Sequence, residues 1–282
     1  MADLRVAIYS AAPIPMATGG VWQPMSCTLI YSSKEAVLVD TPVTTQQTID
    51  LIAWIERTAP GRTLSYIYIT HGHGDHWFGL TQLVARFPSA VPLATARTIQ
   101  HMHQQIEPAV FAEMWESRFP GQIQRPFTIA KEISADGKFA LDDGRWGFEA
   151  ITVGHSDMDD TTVLWVPELR LAVCGDVVYG QVHQWLFESA TKAQREAWIR
   201  AIEKVEALNP AYVVGCHSLA EEVPGVWHLA ATKKYIQDYE SIVASGKVKS
   251  ADELVKEMLK IYPDRFNPWI LELSAGSAFA AT

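Results

Sequence analysis

A chain of 282 residues can bury a sizeable core, and 48% hydrophobic with 20% charged residues is ordinary for a folded soluble protein. Its formal charge of −9 argues against broad nucleic-acid binding, which relies on clustered Lys and Arg. No charged-then-apolar leader opens the chain, no apolar run approaches the roughly 20 residues that span a bilayer, and Cys27, Cys174 and Cys216 are an odd number with no CxxC. The expectation is therefore a cytoplasmic protein with reduced thiols, no nucleic-acid or membrane partner, and a small-molecule substrate. No linker or repeat divides the sequence, so one domain over 1–282 is expected.

Pro13 to Trp22 is a loop punctuated by Pro and Gly, whose Trp22 either anchors the loop or walls a substrate pocket. The apolar runs Cys27 to Tyr31 and Ala36 to Val39, joined by Ser32-Ser-Lys-Glu, predict a β-hairpin. Ile49, Leu51, Ile52 and Ile55 recur at helical spacing within Thr48 to Arg57, and Pro60-Gly61 ends that helix. Leu64 to Ile69 reads as a strand running into Thr70-His-Gly-His-Gly-Asp-His76. Trp77 to Phe87 predicts a helix stopped by Pro88, and Arg97 to Trp115 predicts further helix. Short β-rich runs follow at Phe148 to Val153, Thr162 to Val166, Arg170 to Cys174 and Tyr212 to Val214, with a helix over Lys192 to Leu208 before the last. Beyond Pro224 the chain turns helical, with apolar faces at Tyr235, Ile236, Tyr239, Ile242, Val243 and at Leu254, Val255, Met258, Leu259; Ser250 to Glu253 is a capping-box start for the second. The mixture predicts a layered α/β domain.

Four groups of potential metal ligands each sit just beyond a predicted strand: His71, His73, Asp75 and His76 after LSYIYI, His155 after FEAITV, Asp176 after RLAVCG, and His217 after YVV. Strand ends are where α/β folds build sites. Crowding His-Gly-His-Gly-Asp-His into one turn brings no folding benefit, whereas metal ligation explains both the residue types and their density. Imidazole with carboxylate suits zinc and other borderline metals better than calcium or magnesium. His101 and His103 lie two apart on a predicted helix, where side chains diverge, so they read as a solvated or partly packed face. Trp77, Tyr179, Trp185 and Phe187 flank the ligand groups and divide between core and substrate pocket, and His183 could reach the mouth of the site.

The stretch His71-Gly-His-Gly-Asp-His76 resembles the HxHxDH signature of the metallo-β-lactamase superfamily, and Val153-Gly-His155, Cys174-Gly-Asp176 and Gly215-Cys-His217 resemble its later motifs in the same order. The resemblance runs from the Cys27 to Asp40 hairpin to His217. It implies a four-layer αβ/βα sandwich, here with a helical C-terminal segment over 226–282 that either covers the site or forms a homodimer contact. It further implies that His71, His73 and His155 hold a first metal, Asp75, His76 and His217 a second, and that Asp176 bridges them. One departure stands out: after His155-Ser156 the family often continues with a Thr-x-Gly-like turn, but this chain has Asp157-Met-Asp-Asp160.

Two Zn2+ per chain would make this a binuclear hydrolase, using a water deprotonated near neutral pH against a small ester, lactone, lactam or thioester. The resemblance assigns catalytic roles to Asp75, which could pass a proton to the leaving group, and to the bridging Asp176. Two alternatives stand: a sulfur (persulfide) dioxygenase with one Fe on His71, His155 and Asp176, and a phosphodiesterase.

Overall fold

The computed structural model describes residues 4–280. One sheet runs, in spatial order, Arg5–Ala11, Met25–Tyr31, Glu35–Val39, Thr63–Tyr68, Val91–Ala94 and Lys131–Glu132. Its first three strands are antiparallel and the rest parallel. The other sheet runs Tyr212–Val214, Leu171–Val173, Thr161–Val166, Trp146–Gly154 and Lys138–Leu141, antiparallel except for its first pair. A small ribbon pairs Ile14–Pro15 with Val21–Trp22.

Three separate apolar clusters define four layers. Ile30, Val37, Val39 and Tyr68 meet Phe148, Leu164, Val166 and Val214 between the two sheets. On the outer face of the first sheet, Leu29, Leu38 and Ile67 pack under Leu51 and Ile55 of the helix Thr45–Thr58, Leu83 of Leu80–Arg86 and Met102 of Ala96–Gln105. On the outer face of the second, Val163, Ala172 and Val213 pack under the helices Lys192–Ala207, Trp227–Ala244, Ala251–Ile261 and Pro268–Ala280. This is the four-layer αβ/βα sandwich that the motifs imply, with a helical C-terminal segment. Because both of its faces are covered, Met25–Tyr31 is buried along almost its whole length, the polar Ser26 and Thr28 included.

Local chemistry sets the boundaries. Thr44 and Thr191 each accept from the backbone N–H three residues on, and Gln47 and Gln194 return the bond, which starts the helices Thr45–Thr58 and Lys192–Ala207 before their apolar faces begin. The helix expected from Trp77 begins only at Leu80, because Gly74–His76 first makes a tight 3₁₀ turn. The single helix expected over Arg97 to Trp115 ends at Gln105, and Pro108 restarts a separate turn that widens into a π-helix at Phe111–Glu116. Pro268–Ala280 is mostly apolar, with Glu272 its only charged residue, and so lacks the periodicity that announces a surface helix; Leu271, Ala275 and Ala278 bury its inner side. Among the described residues no helix is long and apolar enough to cross a membrane.

Trp198 is fully buried at the centre of the second outer layer, and its Nε1–H donates to the Val177 carbonyl, one residue past Asp176. Trp198→Ala should therefore destabilise the fold by about 3–5 kcal/mol, measured by urea unfolding; a loss below about 1 kcal/mol would show that this layer does not support the site loop.

Candidate metal centre

The ligand groups come together where strands of both sheets end. Thr63–Tyr68 delivers His71 to His76, Leu171–Val173 delivers Asp176, and Tyr212–Val214 delivers His217. Two glycines make the approach possible. A Cβ on Gly74 would lie 2.2 Å from the Phe78 ring, so only glycine lets the chain turn between His73 and Asp75. Gly175 has φ +50, and a Cβ there would lie 2.4 Å from Thr70 Oγ1, so Asp176 reaches the centre on a bend that a side chain would block.

Two overlapping sets of donor atoms result. In the first, His71 Nε2 is 3.2 Å from His73 Nδ1, and Asp157 Oδ2 is 3.4 Å from the former and 2.8 Å from the latter. In the second, His76 Nε2 lies 3.3 Å from Asp176 Oδ1 and 4.0 Å from Asp75 Oδ1, while His217 Nε2 lies 3.2 Å from Asp176 Oδ2 and 3.7 Å from Asp75 Oδ2. Asp176 belongs with both sets. Tetrahedral ligation with bonds of about 2.0–2.1 Å leaves neighbouring donors about 3.3 Å apart, the scale seen here. His76 Nε2, Asp157 Oδ2 and Asp176 Oδ1 are buried and lack any hydrogen-bond partner, which is costly unless a cation completes them. The residues thus fit a borderline divalent metal.

Each imidazole offers one nitrogen to the cluster and has the other fixed by an oxygen. His71 Nδ1 donates to Thr70 Oγ1 at 3.0 Å, whose own hydroxyl donates to Asp40. His76 Nδ1 donates to Asp40 Oδ2 at 3.1 Å, His73 Nε2 to Glu188 Oε1 at 2.8 Å, and His217 Nδ1 to the Pro24 carbonyl at 2.8 Å. Such outer contacts select the tautomer and orient the ring for ligation. The carboxylates are oriented as well: Trp22 Nε1–H donates to Asp75 Oδ2 at 2.9 Å and the Tyr179 hydroxyl to Asp176 Oδ2 at 2.6 Å.

Electrostatics reflect this crowding. Burial, then His76, pushes His71 down to about 4, so its ring is neutral. Burial also opposes the imidazolium of His73, yet Glu188 and Asp157 hold it well above its ordinary range; against burial, Asp176 holds His76 well above that range too and raises His217. Burial works against ionised Asp157, but His71 and His73 bring it to about 2, and His217 and His76 keep Asp176 well below the usual carboxylate range. Burial raises the Cys216 thiol to about 12, and Cys216 meets His76 on its Nδ1 side, at 3.7 Å, away from the donor nitrogen. Cys216 thus groups with Asp40 on the far side of His76 from the two histidine and aspartate sets, and the buried Cys174 belongs to no donor group among the described residues.

Six of the seven predicted ligands converge: His71, His73, Asp75, His76, Asp176 and His217. His155 does not. Its Nδ1 is 2.6 Å from Asp159 Oδ1 and its Nε2 2.8 Å from Ser189 Oγ, so both nitrogens are engaged outside the cluster, and the iron triad of His71, His155 and Asp176 is not assembled. Asp157 stands with His71 and His73 instead, and nothing in the Gly-His motif distinguished it. Glu188 and Asp40 were also missed, being single carboxylates far along the chain from the groups they support.

A small cavity opens over the donors, lined by Trp22, Gln23, Met114, Trp115, Trp185 and Ile270 besides His73, Asp75, Asp176, Tyr179 and His217. Of the predicted pocket residues, Trp22, Tyr179 and Trp185 line it. Trp77 does not: it is core, with its Nε1–H on the Gly72 carbonyl. His183 is buried against the Tyr235 hydroxyl, and Phe187 is exposed on the outer side of Trp185. The C-terminal segment reaches the cavity through Ile270. His101 binds Asp160 and Gln104 while His103 is exposed, and the two form no donor group among the described residues.

The family model described as the metallo-beta-lactamase superfamily matches residues 20–217. A "metallo-beta-lactamase type 2" of Bacteroides fragilis is 21% identical over 234 residues, covering 82% of this chain and 83% of that protein. Among solved structures, a metallo-beta-lactamase from Pontibacter korlensis superposes with a TM-score of 0.58 at 18% identity, covering 84% of this chain and 96% of that one. The mono-zinc form of the metallo-beta-lactamase FIM-1 from Pseudomonas aeruginosa gives 0.59 at 16%, covering 84% and 92%. At these identities the structural likeness speaks for the fold, and the family match, with the histidine and aspartate groups gathered at the strand ends, places this chain in the metallo-beta-lactamase superfamily.

Proposed function

We propose that this chain is a hydrolase using two divalent ions of the zinc type to cleave a compact, uncharged ester, lactone, lactam or thioester. The observation that carries the reading is the pair of buried donor sets sharing Asp176 at the floor of an aromatic cavity. His71, His73 and Asp176 would hold one ion; Asp75, His76, His217 and Asp176 the other. Bound there, such ions supply water with a pKa lowered to about 7 and a Lewis acid for a carbonyl oxygen.

The chain's own residues supply orientation, dryness and proton transfer. Trp22 and Tyr179 fix the carboxylates of Asp75 and Asp176 by direct hydrogen bonds. Asp75, on the cavity floor, is the group placed to hand a proton to a leaving nitrogen, oxygen or sulfur. Trp22, Trp115, Trp185 and Ile270 exclude water and suit a flat apolar body. Two polar groups on this wall are buried without partners, Gln23 Oε1 and Trp185 Nε1. Gln23 Nε2 donates to the His183 carbonyl at 2.8 Å, which leaves the amide oxygen as the free acceptor. One acceptor and one donor match a cyclic amide, with its N–H and C=O, and favour the lactam within the substrate class. A phosphodiester fits poorly, since no Lys or Arg lines the cavity.

Purified protein should carry about two zinc-like ions per chain by elemental analysis, lose hydrolysis of small lactams and lactones on chelation, and regain it with zinc; one iron per chain without carbonyl hydrolysis would sink the reading. Asp176→Ala should lower kcat/KM by more than about 100-fold, beyond the usual cost of an outer-sphere change, whereas His103→Ala should leave metal content and rate within about two-fold. Trp185→Phe, which keeps a ring and removes the N–H, should raise KM for an active lactam roughly two- to ten-fold with little change in kcat. An unchanged KM would remove Trp185 from recognition.

A further inference from the structure

The turn after Trp146–Gly154 has a polar frame of its own. Gly154 has φ +99, and its carbonyl accepts from Thr161 Oγ1. Ser156 donates to Asp157 Oδ1 at 2.8 Å and lies 2.9 Å from Thr161 Oγ1, while the Ser156 N–H closes the turn onto the Met158 carbonyl. This frame holds Asp157 fully buried, with Oδ1 bonded to Ser156 and Oδ2 directed at His71 Nε2 and His73 Nδ1, where it has no hydrogen bond. His155 has the opposite situation. It bridges Asp159 and Ser189, and the Ser189 hydroxyl donates on to the Ser156 carbonyl, so neither ring nitrogen has a lone pair facing the donor sets.

We propose that Asp157 is the terminal carboxylate ligand of the first ion and that His155 is a positioning residue which ties this turn to Ser189. The proposal rests on the binuclear reading and adds the ligand that reading leaves open. Each ion then sits on two imidazoles, one carboxylate of its own and a share of Asp176: His71, His73 and Asp157 on one side, His76, His217 and Asp75 on the other. Two consequences follow from replacing a neutral imidazole by a carboxylate. Three carboxylates against two divalent cations leave one net positive charge, where a three-imidazole first site would leave two. An uncharged substrate loses least by that change, because attraction for an anion is weakened. The added oxygen donor also makes the first site harder, which raises the standing of Mn2+ relative to Zn2+.

The test uses full-length protein stripped by chelation, reloaded with Zn2+ alone or with a Zn2+/Mn2+ mixture, and read by elemental analysis and by the electron-spin resonance of bound Mn2+. His155→Gln should keep two zinc ions per chain and Asp157→Asn should keep one. Asp157→His should keep two while its retention of Mn2+ relative to Zn2+ falls by roughly ten-fold or more, the scale on which even outer contacts alter metal affinity. Melting curves of the metal-free variants separate loss of a ligand from loss of the fold, and Asn preserves the shape of Asp. Loss of one ion in His155→Gln with two kept in Asp157→Asn, both folded, overturns the proposal. A wild-type chain holding one ion overturns the binuclear reading, and overturns the role of Asp157 with it if that ion survives Asp157→Asn.

Discussion

Three carboxylates and four imidazoles share one dry corner of this molecule, and most of the surrounding structure answers that arrangement. Asp75, Asp157 and Asp176 are nearly inaccessible, as are His71, His73, His76 and His217. An uncompensated buried carboxylate costs several kcal/mol. Without metal, the compensation comes from protons: Glu188 with Asp157 favours the charged form of His73, and Asp176 that of His76 and His217, so cationic rings face anionic oxygens. Divalent ions bound there would take over that task, since Asp157 Oδ2, Asp176 Oδ1 and His76 Nε2 have no hydrogen-bond partner, and their entry would release the protons.

The same corner is where the two sheets are joined. Thr162, from the second sheet, donates through both its N–H and its hydroxyl to the carbonyl of Thr70, just past the end of a first-sheet strand. Cys216 bonds Gly175, and Ser26 bonds Cys216, which links the edge where His217 is presented to the strand Met25–Tyr31. Asp40 completes the seam by accepting from the N–H and hydroxyl of Thr70 and from His76. The orientation of the ligands is therefore bound up with the packing of the sandwich, and Gly74 and Gly175 mark the two places where the chains come too close for a side chain.

This division explains what was legible in the sequence. The hairpin Met25–Tyr31 with Glu35–Val39 and the strand Thr63–Tyr68 were legible because apolar, aromatic and β-branched residues are concentrated there in short runs. The six converging donors were legible as candidates because they follow strands in short motifs. His155 was expected among the donors from its motif, but a motif gives a residue's place in the chain and not the direction of its ring: the structure turns His155 to Asp159 and Ser189, while Asp157, held by Ser156 and its contact with Thr161, stands beside His71 and His73. Trp77 looked like a pocket residue from its neighbours, yet a one-turn 3₁₀ segment points it into the core. Arg5–Ala11, an edge strand with mostly half-exposed residues, and the mostly apolar Pro268–Ala280 carry no clear period and went unread.

The cover of the cavity is coupled to the chemistry beneath it through one side chain. Trp22, at the end of the small ribbon, packs against Trp115, Phe119, Trp185 and Trp269, so residues from three distant parts of the chain meet around a single indole. Asn267 holds the ribbon from the C-terminal side by donating to the Val21 carbonyl at 2.8 Å. That same indole donates to Asp75 Oδ2. The same indole therefore links the apolar cover of the cavity to the orientation of Asp75, and Trp269 and Asn267 of the C-terminal segment reach the donor groups through it and through the ribbon.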